Sequence, residues 1–581
     1  MTRRATTARE QRRPADPLGN PSTRTPFPHK KSASPLICTF ASHRLLLLID
    51  AFYEEIEGVR KGEDIEHLHR MRVASRRMRA CLNTFSPCFS GRRFRKVYRG
   101  TRSITRALGQ ARDADVQIAF LKKLRKRARA ITGSHEAGGP PDPVPPVLDA
   151  IQFLLQKLRK ERAGHQKEVV AALDSYEKEK IPDLVRAAAH RNLPLPGQGT
   201  RKRHAPGTLH FLAAEQIGQC YLALRSFTPS VHDPDAVAEH HAMRIAAKHL
   251  RYTMEIFAPL FRLGLRKYLA RIARLQQILG DLHDTDVWID SVTLLIVKER
   301  SRPRSPDDPT RPGPRVMAGL KAFQRDREKE RRRIYRSMVH SWDRLEKSGF
   351  WDALKHEVFS NYRAKFAAEP LSPPKEKRDA VSRLARLYPE GEGHSRIVAG
   401  LSLEMFDQLQ GIHHLAEKER SMLEFASLLH DIGWSRGKKG HAKESASMIH
   451  ESEDLPFSLD ERGTIGFLAR VHRGACRVED SGYFALLPAE MQRDLLILAG
   501  IIRVADGLDG MHRGSVQSVR CSVAPDSVTC TLVSSMDCSQ EIGMAREKAD
   551  LLERVLGRPL VLVHEGTPGG ASLPAGPEGP R

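Results

Sequence analysis

The stretch HRMRVASRRMR at residues 69–79 returns at residues 241–251 as HAMRIAAKHLR. Both copies begin with histidine and carry a basic residue at the fourth, eighth and eleventh positions. These spacings put the four polar side chains on one face of an α-helix, with apolar residues on the other faces. The chain is therefore predicted to contain a helical unit twice, each time with a cationic stripe.

A second pair of motifs supports this duplication. LGQARDADV at residues 108–116 matches LGDLHDTDV at residues 279–287, at nearly the same offset as the first pair. The aspartates of these motifs are expected to cap helices or to hold arginines in place, and not to bind metal. They are Asp113, Asp115, Asp284 and Asp286.

Positive charge is concentrated in the first part of the chain. The net charge of the 581 residues is +25, of which the first 370 residues carry +30 and the rest −5. Such an excess attracts polyanions. Arginine binds phosphate oxygens with a two-pronged fork and lysine adds a point charge, so two facing stripes would line a channel for linked phosphates. A single stripe could be a solvated surface, but its duplication favours the channel.

With these motifs, residues 36–366 resemble a CHAD domain, a helical module of two four-helix repeats whose basic residues and histidines line a central pore. That family is associated with inorganic polyphosphate. The resemblance implies repeats at about 36–190 and 208–366, interrupted by Pro/Gly-rich loops near 132–147, 193–207 and 301–315. The residues it implies for phosphate contact are His69, Arg72, Arg76, Arg79, His241, Arg244, Lys248 and Arg251. One departure is His249, where the first copy has Arg77.

Histidines and aspartates in helix-like contexts mark the C-terminal part. In chain order they are His394, His430, Asp431, His441, His472 and Asp506. Imidazole and carboxylate groups are ligands for zinc, manganese, iron and magnesium, and a metal needs several of them converging from separate helices. A lone histidine in a helical core is more often a packing residue, but six ordered positions favour a metal site.

Apolar periodicity predicts helices near 397–410, 418–430, 441–451, 460–472 and 490–508. Alternating segments at 516–523 and 527–532 predict strands, followed by a helix at 541–556 and a short strand at 560–563. We therefore expect a mainly α protein: a duplicated four-helix-bundle module, then an α-helical domain with a small α+β cap at the C-terminal end.

The order of the histidines and aspartates resembles the HD phosphohydrolase superfamily, above all the C-terminal HD region of exopolyphosphatase/guanosine pentaphosphatase (Ppx/GppA) proteins. The motifs that carry the resemblance are 429–433, 440–445, 469–473 and 503–509. Glu444 departs from it, because that family tends to place a histidine there. The actin-like domains that precede the region in exopolyphosphatases have no counterpart here, so polyphosphate cleavage does not follow from the family name.

The resemblance implies a centre with one or two divalent ions (Mn, Mg, Fe or Zn). His394, His430, Asp431 and Asp506 would hold the first ion, and Asp431 would bridge to a second ion held by His441 and His472. Water activated there attacks phosphorus. Asp431, Lys443 and Arg473 are the catalytic candidates, the last two as partners for phosphate oxygens. Asp509 and His512 could support the ligands.

The expected organisation has disordered tails at 1–35 and 566–581, the CHAD-like domain at 36–366, a linker at 367–380, the HD domain at 381–514 and the cap at 515–565. The expected function is polyphosphate binding with metal-dependent hydrolysis of polyphosphate, of guanosine penta- or tetraphosphate as a nucleotide substrate, or of a related ester or anhydride. The alternative is a non-catalytic polyphosphate-binding scaffold with a regulatory HD fold. Nucleic acid is disfavoured as a partner, because few aromatics interleave the stripes.

Eight cysteines without a Cys-x-x-Cys pair indicate reduced thiols and no disulfides. The apolar run at 45–49 is too short to cross a membrane, and no signal-peptide core follows the first arginines. We therefore expect a cytoplasmic protein without a membrane partner, with polyphosphate granules as one place of association.

Overall fold

Helices build most of the molecule. The computed structural model describes residues 35–89, 91–132, 145–193, 208–261, 264–301, 312–364, 374–452, 454–473 and 478–565. The structure is 80% helical with a three-stranded sheet near the C-terminus, which confirms the mainly α fold with a small α+β cap. The predicted tails, apart from Pro35, and most of the three predicted loops lie outside the described residues, as do residues 367–373 of the predicted linker; residues 374–380 of that linker are helical.

The helices of the N-terminal part follow the predicted repeat. Helix α3 carries the first stripe and α8 the second, and α4 and α9 carry the two aspartate motifs. Their bounds are α1 (Pro35–Tyr53), α2 (Ile56–Lys61), α3 (Ile65–Thr84), α4 (Gly91–Thr132), α5 (Pro146–Lys178), α6 (Ile181–His190), α7 (Thr208–Arg225), α8 (Val237–Phe257), α9 (Arg266–Ser301), α10 (Pro314–Lys347) and α11 (Phe350–Ala364).

The chain forms two compact units, each built from three segments that are not consecutive in the sequence. The first unit takes its described residues from 1–197, 223–256 and 266–348. The second takes its described residues from 198–222, 257–265 and 349–581, so most of α7 and all of α11 belong to it. The domain boundaries expected from the repeat alone stay a prediction.

The segment Pro35–Lys61 is long and apolar enough to cross a membrane, with a hydropathy of 1.4 in its most apolar window. A single such helix is weak evidence for a span, because core helices of soluble proteins share this composition. Leu45, Ile49 and Phe52 on its α1 part are fully buried, and α1 packs against α3 and α6. This burial agrees with a core helix.

A disulfide contradicts the expectation that every thiol is reduced. Cys38 in α1 is bonded to Cys88, which lies in a short 3-10 turn after α3, with 5.1 Å between the Cα atoms. The pattern of cysteines could not show this pair, because the two residues are 50 positions apart and meet only when α1 packs against α3. The bond ties the first helix to the end of the stripe helix.

The C-terminal part contains every helix predicted there except one. The bounds are α12 (Pro374–Arg386), α13 (Glu392–Gln408), α14 (Gln410–His413), α15 (Glu417–Leu429), α16 (His441–Glu451), α17 (Leu459–Val471), α18 (Gly482–Leu486), α19 (Ala489–Leu508), α20 (Ser539–Arg546) and α21 (Asp550–Leu556). The single helix predicted at 541–556 is wrong: a turn at 547–549 divides it into α20 and α21. That turn carries Lys548 to Asp506, a contact that periodicity does not report.

The sheet of the cap has the order β1 (Ser518–Val523), β2 (Val528–Val533), β3 (Leu560–His564). β1 pairs with β2 in antiparallel fashion and β2 with β3 in parallel fashion. Side chains of α13 bind the backbone of β1: Glu404 accepts from Val519 N at 2.7 Å, and Gln408 accepts from Cys521 N at 2.7 Å. These bonds satisfy the strand edge and hold α13, which carries His394, against the cap.

Candidate functional site

The six predicted ligand residues lie together inside the second unit. All are buried, with 6% or less of each residue exposed. Helices α13 and α19 contribute one residue each from their interiors, His394 and Asp506. His430 and Asp431 follow the end of α15, His441 begins α16, and His472 follows the last residue of α17. The sequence motifs thus converge from five helices.

Gly433 allows two of these segments to meet. A Cβ atom at Gly433 would lie 2.3 Å from the backbone oxygen of His441 and 2.6 Å from the nitrogen of Ser445. Gly433 N also donates to Ser445 Oγ at 2.9 Å. The turn after Asp431 can therefore pack directly on the first turn of α16, which brings Asp431 and His441 together.

Three of the histidines are oriented by the backbone. The Nδ1 atoms of His430, His441 and His472 lie 2.7, 2.9 and 2.8 Å from the carbonyl oxygens of residues 427, 438 and 469. A carbonyl oxygen can only accept, so each Nδ1 donates and each Nε2 keeps its lone pair. Neutral imidazoles fixed in this way are ready to ligate a metal.

Asp431 lies at the centre of the cluster. Its Oδ1 is 3.1 Å from Nε2 of His441 and 3.5 Å from Nε2 of His472. Its Oδ2 is 3.7 Å from Nε2 of His430 and 4.0 Å from Nε2 of His394. One carboxylate therefore faces four imidazoles with different oxygens, as a bridging ligand would.

Asp506 closes the opposite side. Its Oδ1 lies 3.1 Å from Nε2 of His394 and 3.6 Å from Nε2 of His430, and its Oδ2 pairs with Lys548. Asp509, which follows α19, lies 2.8 Å from Nδ1 of His394 and orients that ring. This contact is the one expected if Asp509 supports the candidate ligand His394.

Three groups in this cluster could each hold a metal ion. Each group has its ligand atoms within 4.8 Å of one another, and the groups are His394–His430–Asp431, His430–His472–Asp506 and Asp431–His441–His472. The fit is supported by His430 Nε2, which is buried and has no hydrogen-bond partner among the described residues. An unpaired buried nitrogen is costly, and a cation among these atoms would satisfy it.

Electrostatics in the cluster match its donor set. Burial alone would raise the pKa of Asp431, but His430, His441 and His472 hold that pKa well below its usual range. Burial, together with His430 beside it, lowers the pKa of His472 to about 3. Burial also lowers the pKa of His394, but hydrogen bonds to Asp506 and Asp509 outweigh it and raise the pKa to about 9. Without a metal ion His394 is therefore protonated at neutral pH, and it would release the proton on Nε2 when it binds one. The anionic carboxylates attract a divalent cation.

The structure adds residues that sequence reasoning missed. Lys548 reaches Asp506 from the turn between α20 and α21, 42 residues away in the chain. The ring of Trp434 lies 5.6 Å from that of His441 and 5.3 Å from that of His512. No local signal marks Lys548. Trp434, by contrast, directly follows the 429–433 motif and could have been included.

The two remaining catalytic candidates lie at the surface. Lys443 is exposed on the first turn of α16, and Arg473 is exposed next to His472. Their roles stay predictions. Glu444, which departs from the family pattern, is buried and lies 3.6 Å from Arg436. The position where the family tends to have histidine therefore carries an ion-paired carboxylate.

The first unit brings the two cationic stripes together. Burial and then Arg76, Arg244, Arg79 and Arg72 lower the pKa of Lys248 to about 7. Contacts also join the two stripe helices: Arg76 of α3 lies over the ring of Tyr252 in α8, 5.6 Å from its centroid, and Arg77 donates to Glu255 at 2.9 Å. Burial and the same neighbourhood lower the pKa of His249 to about 4. The space is therefore strongly positive.

Several arginines of the first unit donate hydrogen bonds to nearby carboxylates. Arg72 donates to Asp113 at 2.9 Å, and Arg251 donates to Glu255 at 2.5 Å and to Gln276 at 2.7 Å. The other motif aspartates act alike in the two repeats: Arg162 donates to Asp115 at 2.7 Å and Arg331 donates to Asp286 at 2.6 Å. These contacts confirm for Asp113, Asp115 and Asp286 that the motif aspartates hold arginines in place, whereas the role expected of Asp284 stays a prediction.

The histidines of the two stripes have different surroundings. His241 lies 3.0 Å from His283, Nδ1 to Nδ1, whereas the first repeat has Arg112 at the position of His283. His69 Nδ1 is buried without a hydrogen-bond partner among the described residues. The repeat is thus preserved in the backbone while its charge differs between the copies.

Residues 43–293 match the CHAD domain family, and residues 377–551 match Ppx/GppA phosphatase, domain III. These matches confirm the resemblance to a CHAD domain and the resemblance to the C-terminal region of Ppx/GppA proteins. The first match contains every predicted phosphate-contact residue, and the second contains all six candidate metal ligands.

Two solved structures are similar to part of the chain. One is the CHAD domain from the plant Ricinus communis, with 21% identity over 54% of this chain and 93% of that one, and a TM-score of 0.37. The other is PptA from Streptomyces chartreusis, with 16% identity over 54% of this chain and 100% of that one, and a TM-score of 0.37. No curated protein matches the chain.

Proposed function

We propose that this fusion of a CHAD domain with a Ppx/GppA phosphatase domain III binds polyphosphate, or a similar polyanion, in the first domain and hydrolyses a phosphate anhydride or ester at a metal centre in the second. The observation that carries the proposal is the buried convergence of six ligand residues, with the Nε2 atoms of His430, His441 and His472 facing Asp431. We assign the second domain to the HD phosphohydrolases on this basis.

The ligands divide into two sets that share Asp431. His394, His430, Asp431 and Asp506 would hold one ion, while Asp431, His441 and His472 would hold another. When bound, divalent ions supply Lewis acidity toward the phosphoryl group and lower the pKa of water. Asp509 keeps His394 oriented through its 2.8 Å contact. Lys443 and Arg473 are exposed next to the ligands His441 and His472, and we assign them to the non-bridging oxygens of a substrate.

The proposed substrates are polyphosphate and guanosine penta- or tetraphosphate. The channel would retain a polyanion on the same chain, which raises its effective concentration at the metal centre if the linker permits. We place this activity in the cytoplasm, including polyphosphate granules. In that compartment the Cys38–Cys88 pair would be held reduced. Thiol labelling of both cysteines in protein from intact cells would support this location, and protection of both would contradict it.

The experiment that tests the function is phosphate release by the purified protein with Mn²⁺, over polyphosphate, guanosine pentaphosphate and ordinary nucleotides. We expect release from at least one of these substrates and its loss after chelation. Binding of polyphosphate without release from any substrate would contradict hydrolysis and favour the scaffold.

The scaffold function has one observation in its favour. The ammonium group of Lys548 already pairs with Asp506 Oδ2, which is an atom of one candidate metal ligand. If the centre nevertheless binds metal, Lys548 competes with it. We expect Lys548→Met to tighten Mn²⁺ binding by about tenfold, equivalent to about 1.4 kcal/mol.

Calorimetric titration of Mn²⁺ into wild type and Lys548→Met measures this change. Lys439→Met, which removes an exposed lysine of the loop before α16, is the matched control and should leave the affinity unchanged. Equal Mn²⁺ affinity in the Lys548→Met variant and the wild type would show that the lysine does not oppose metal binding.

Lys248 gives polyanion binding a pH dependence. Its pKa of about 7 in the free protein reflects burial and neighbouring arginines. A bound polyanion neutralises those arginines and raises the pKa, so Lys248 takes up a proton on binding. Affinity is then greatest below pH 7 and falls as the pH rises above 7, by up to about one logarithmic unit per pH unit until the pKa of the complex.

Dissociation constants at pH 6.5, 7.5 and 8.5 and constant ionic strength test this dependence. Lys248→Met should bind more weakly at pH 6.5 and show a flatter profile between 7 and 8.5. A wild-type affinity that does not change over this range would contradict proton uptake by Lys248.

A further inference from the structure

Helix α7 lies in the part of the chain that matches the CHAD family, yet residues 208–222 of it belong to the second unit. Within the second unit, the backbone of α7 contacts the first residue of α18, Gly482. A Cβ atom on Gly218 would lie 1.9 Å from the oxygen of Gly482, and one on Gly482 would lie 2.0 Å from the oxygen of Glu215. Only a pair of glycines allows an approach this close.

Glu215 is the polar centre of this contact. It is buried, with 6% of the residue exposed. Its Oε1 accepts from Arg470 Nη1 at 2.6 Å and from Gln219 Nε2 at 2.7 Å. Its Oε2 accepts from Tyr483 N at 2.7 Å and from Ser481 Oγ at 3.3 Å. A carboxylate withdrawn from water at this cost is retained only when such partners compensate it.

These partners flank His472 in the sequence. Arg470 comes two residues before His472, in the last turn of α17. Ser481 and Tyr483 come nine and eleven residues after it, where α18 begins. The Glu215 side chain therefore binds residues on both sides of His472 in the chain, Arg470 before it and Ser481 and Tyr483 after it. This arrangement limits how far His472 can move relative to α17.

Helix α7 also supports the crossing of α16 and α17. Phe211 stacks on His450 of α16, with 3.6 Å between ring centroids, and Thr208 Oγ1 donates to His450 O at 3.1 Å. A Cβ atom on Gly466 of α17 would lie 2.5 Å from His450 Nε2. The His450 ring is thus held between α7 and α17. The same two helices, α16 and α17, carry His441 and His472, whose Nε2 atoms are 3.3 Å apart.

We propose that Glu215 is a positioning residue for His472, and that α7 of the CHAD segment completes the Asp431–His441–His472 group of the second domain. The inference rests on the proposed metal centre. It deepens that proposal because it makes the second ion depend on a residue outside the segment that matches the phosphatase family. The first group, His394–His430–Asp431, has its ligands on α13 and after α15 and makes no use of α7.

The test is Mn²⁺ titration of the full-length protein by calorimetry, with electron paramagnetic resonance to detect a coupled pair of ions. Wild type should bind two ions. Glu215→Ala should retain the first ion and bind the second about 10- to 100-fold more weakly, the usual effect of losing a partner that orients a ligand. Glu215→Gln keeps one acceptor oxygen for Tyr483 N and Ser481 Oγ but loses the oxygen that pairs with Arg470, and we expect a smaller loss of second-site affinity than in Glu215→Ala.

Glu461→Ala is the matched control for stability. Glu461 pairs with Lys377 at 2.7 Å and accepts from Ser458 N at 2.8 Å at the opposite end of α17. This variant should lower the unfolding temperature but leave both Mn²⁺ affinities unchanged. If Glu215→Ala does not fold, Glu215→Gln and Arg470→Gln still report on the same contact, and a moderate loss confined to the second ion is then expected.

The outcomes separate this inference from the proposed function. Two ions in wild type, with equal second-site affinity in the Glu215 variants, would overturn the positioning role and leave the metal centre intact. A single ion in wild type would also overturn it, because the group that Glu215 serves would not bind metal. Wild type that binds no Mn²⁺ would contradict the metal centre itself, and the positioning role with it.

Discussion

Asp431→Ala should lower metal-dependent phosphate release by about a thousandfold or more, because a metal centre contributes several kcal/mol to transition-state stabilisation. The physical reason is that both oxygens of Asp431 face imidazoles, Oδ1 toward His441 and His472 and Oδ2 toward His430 and His394. Removing this carboxylate takes one ligand from each proposed ion. The measurement is phosphate release at saturating Mn²⁺, with bound metal determined on the same samples.

Two comparisons make the result specific. Asp526→Ala removes an exposed carboxylate from the loop between β1 and β2 and should leave the rate unchanged. Polyphosphate affinity should be the same in Asp431→Ala as in wild type, because the proposed phosphate-contact residues lie in the first unit. Undiminished release by a folded Asp431→Ala protein would exclude the cluster as the hydrolytic site.

The triple variant Arg72→Ala, Arg76→Ala, Arg244→Ala should weaken polyphosphate binding by about a hundredfold or more, since hydrogen bonds to charged groups contribute about 1.5–3 kcal/mol each. All three arginines act on Lys248, so they face a common space. Fewer phosphate contacts also mean fewer released counterions. The slope of log affinity against log salt should therefore become shallower by about two to three.

The control for this variant removes the same charge from an exposed face. Arg325, Arg332 and Arg336 lie exposed on α10, and their triple alanine variant should bind polyphosphate nearly as well as wild type. Equal losses in the two triple variants would indicate diffuse attraction and would contradict a channel. Competition by DNA that matches that of polyphosphate would support the disfavoured nucleic-acid partner.

Much of the site was predictable because its determinants are local. The spacing of His69, Arg72, Arg76 and Arg79 follows the turn of a helix, so the common face of α3 could be read before any contact was known. The ordered positions of the histidines and aspartates likewise predicted a cluster, and the structure brings all six together. Their ligand roles stay predictions until metal binding is measured.

The helix predicted at 541–556 shows a limit of prediction from apolar periodicity. Apolar periodicity continues through the turn at 547–549, because α20 and α21 each bury one face against α19. Nothing in the pattern records that the turn carries the Lys548 ammonium to Asp506. The omission matters for the proposed function, since that lysine neutralises charge on a candidate metal ligand.

Residue type and spacing within one or two helical turns were enough to predict the helical class, the duplication, the two cationic faces and the six candidate ligands. Long-range partners became visible only in the folded chain: Lys548 on Asp506, Cys38 on Cys88, and Glu215 on Arg470 and Tyr483. These pairs are separated by 42 to 268 positions. Contacts over such distances arise from helix packing, which no local pattern encodes.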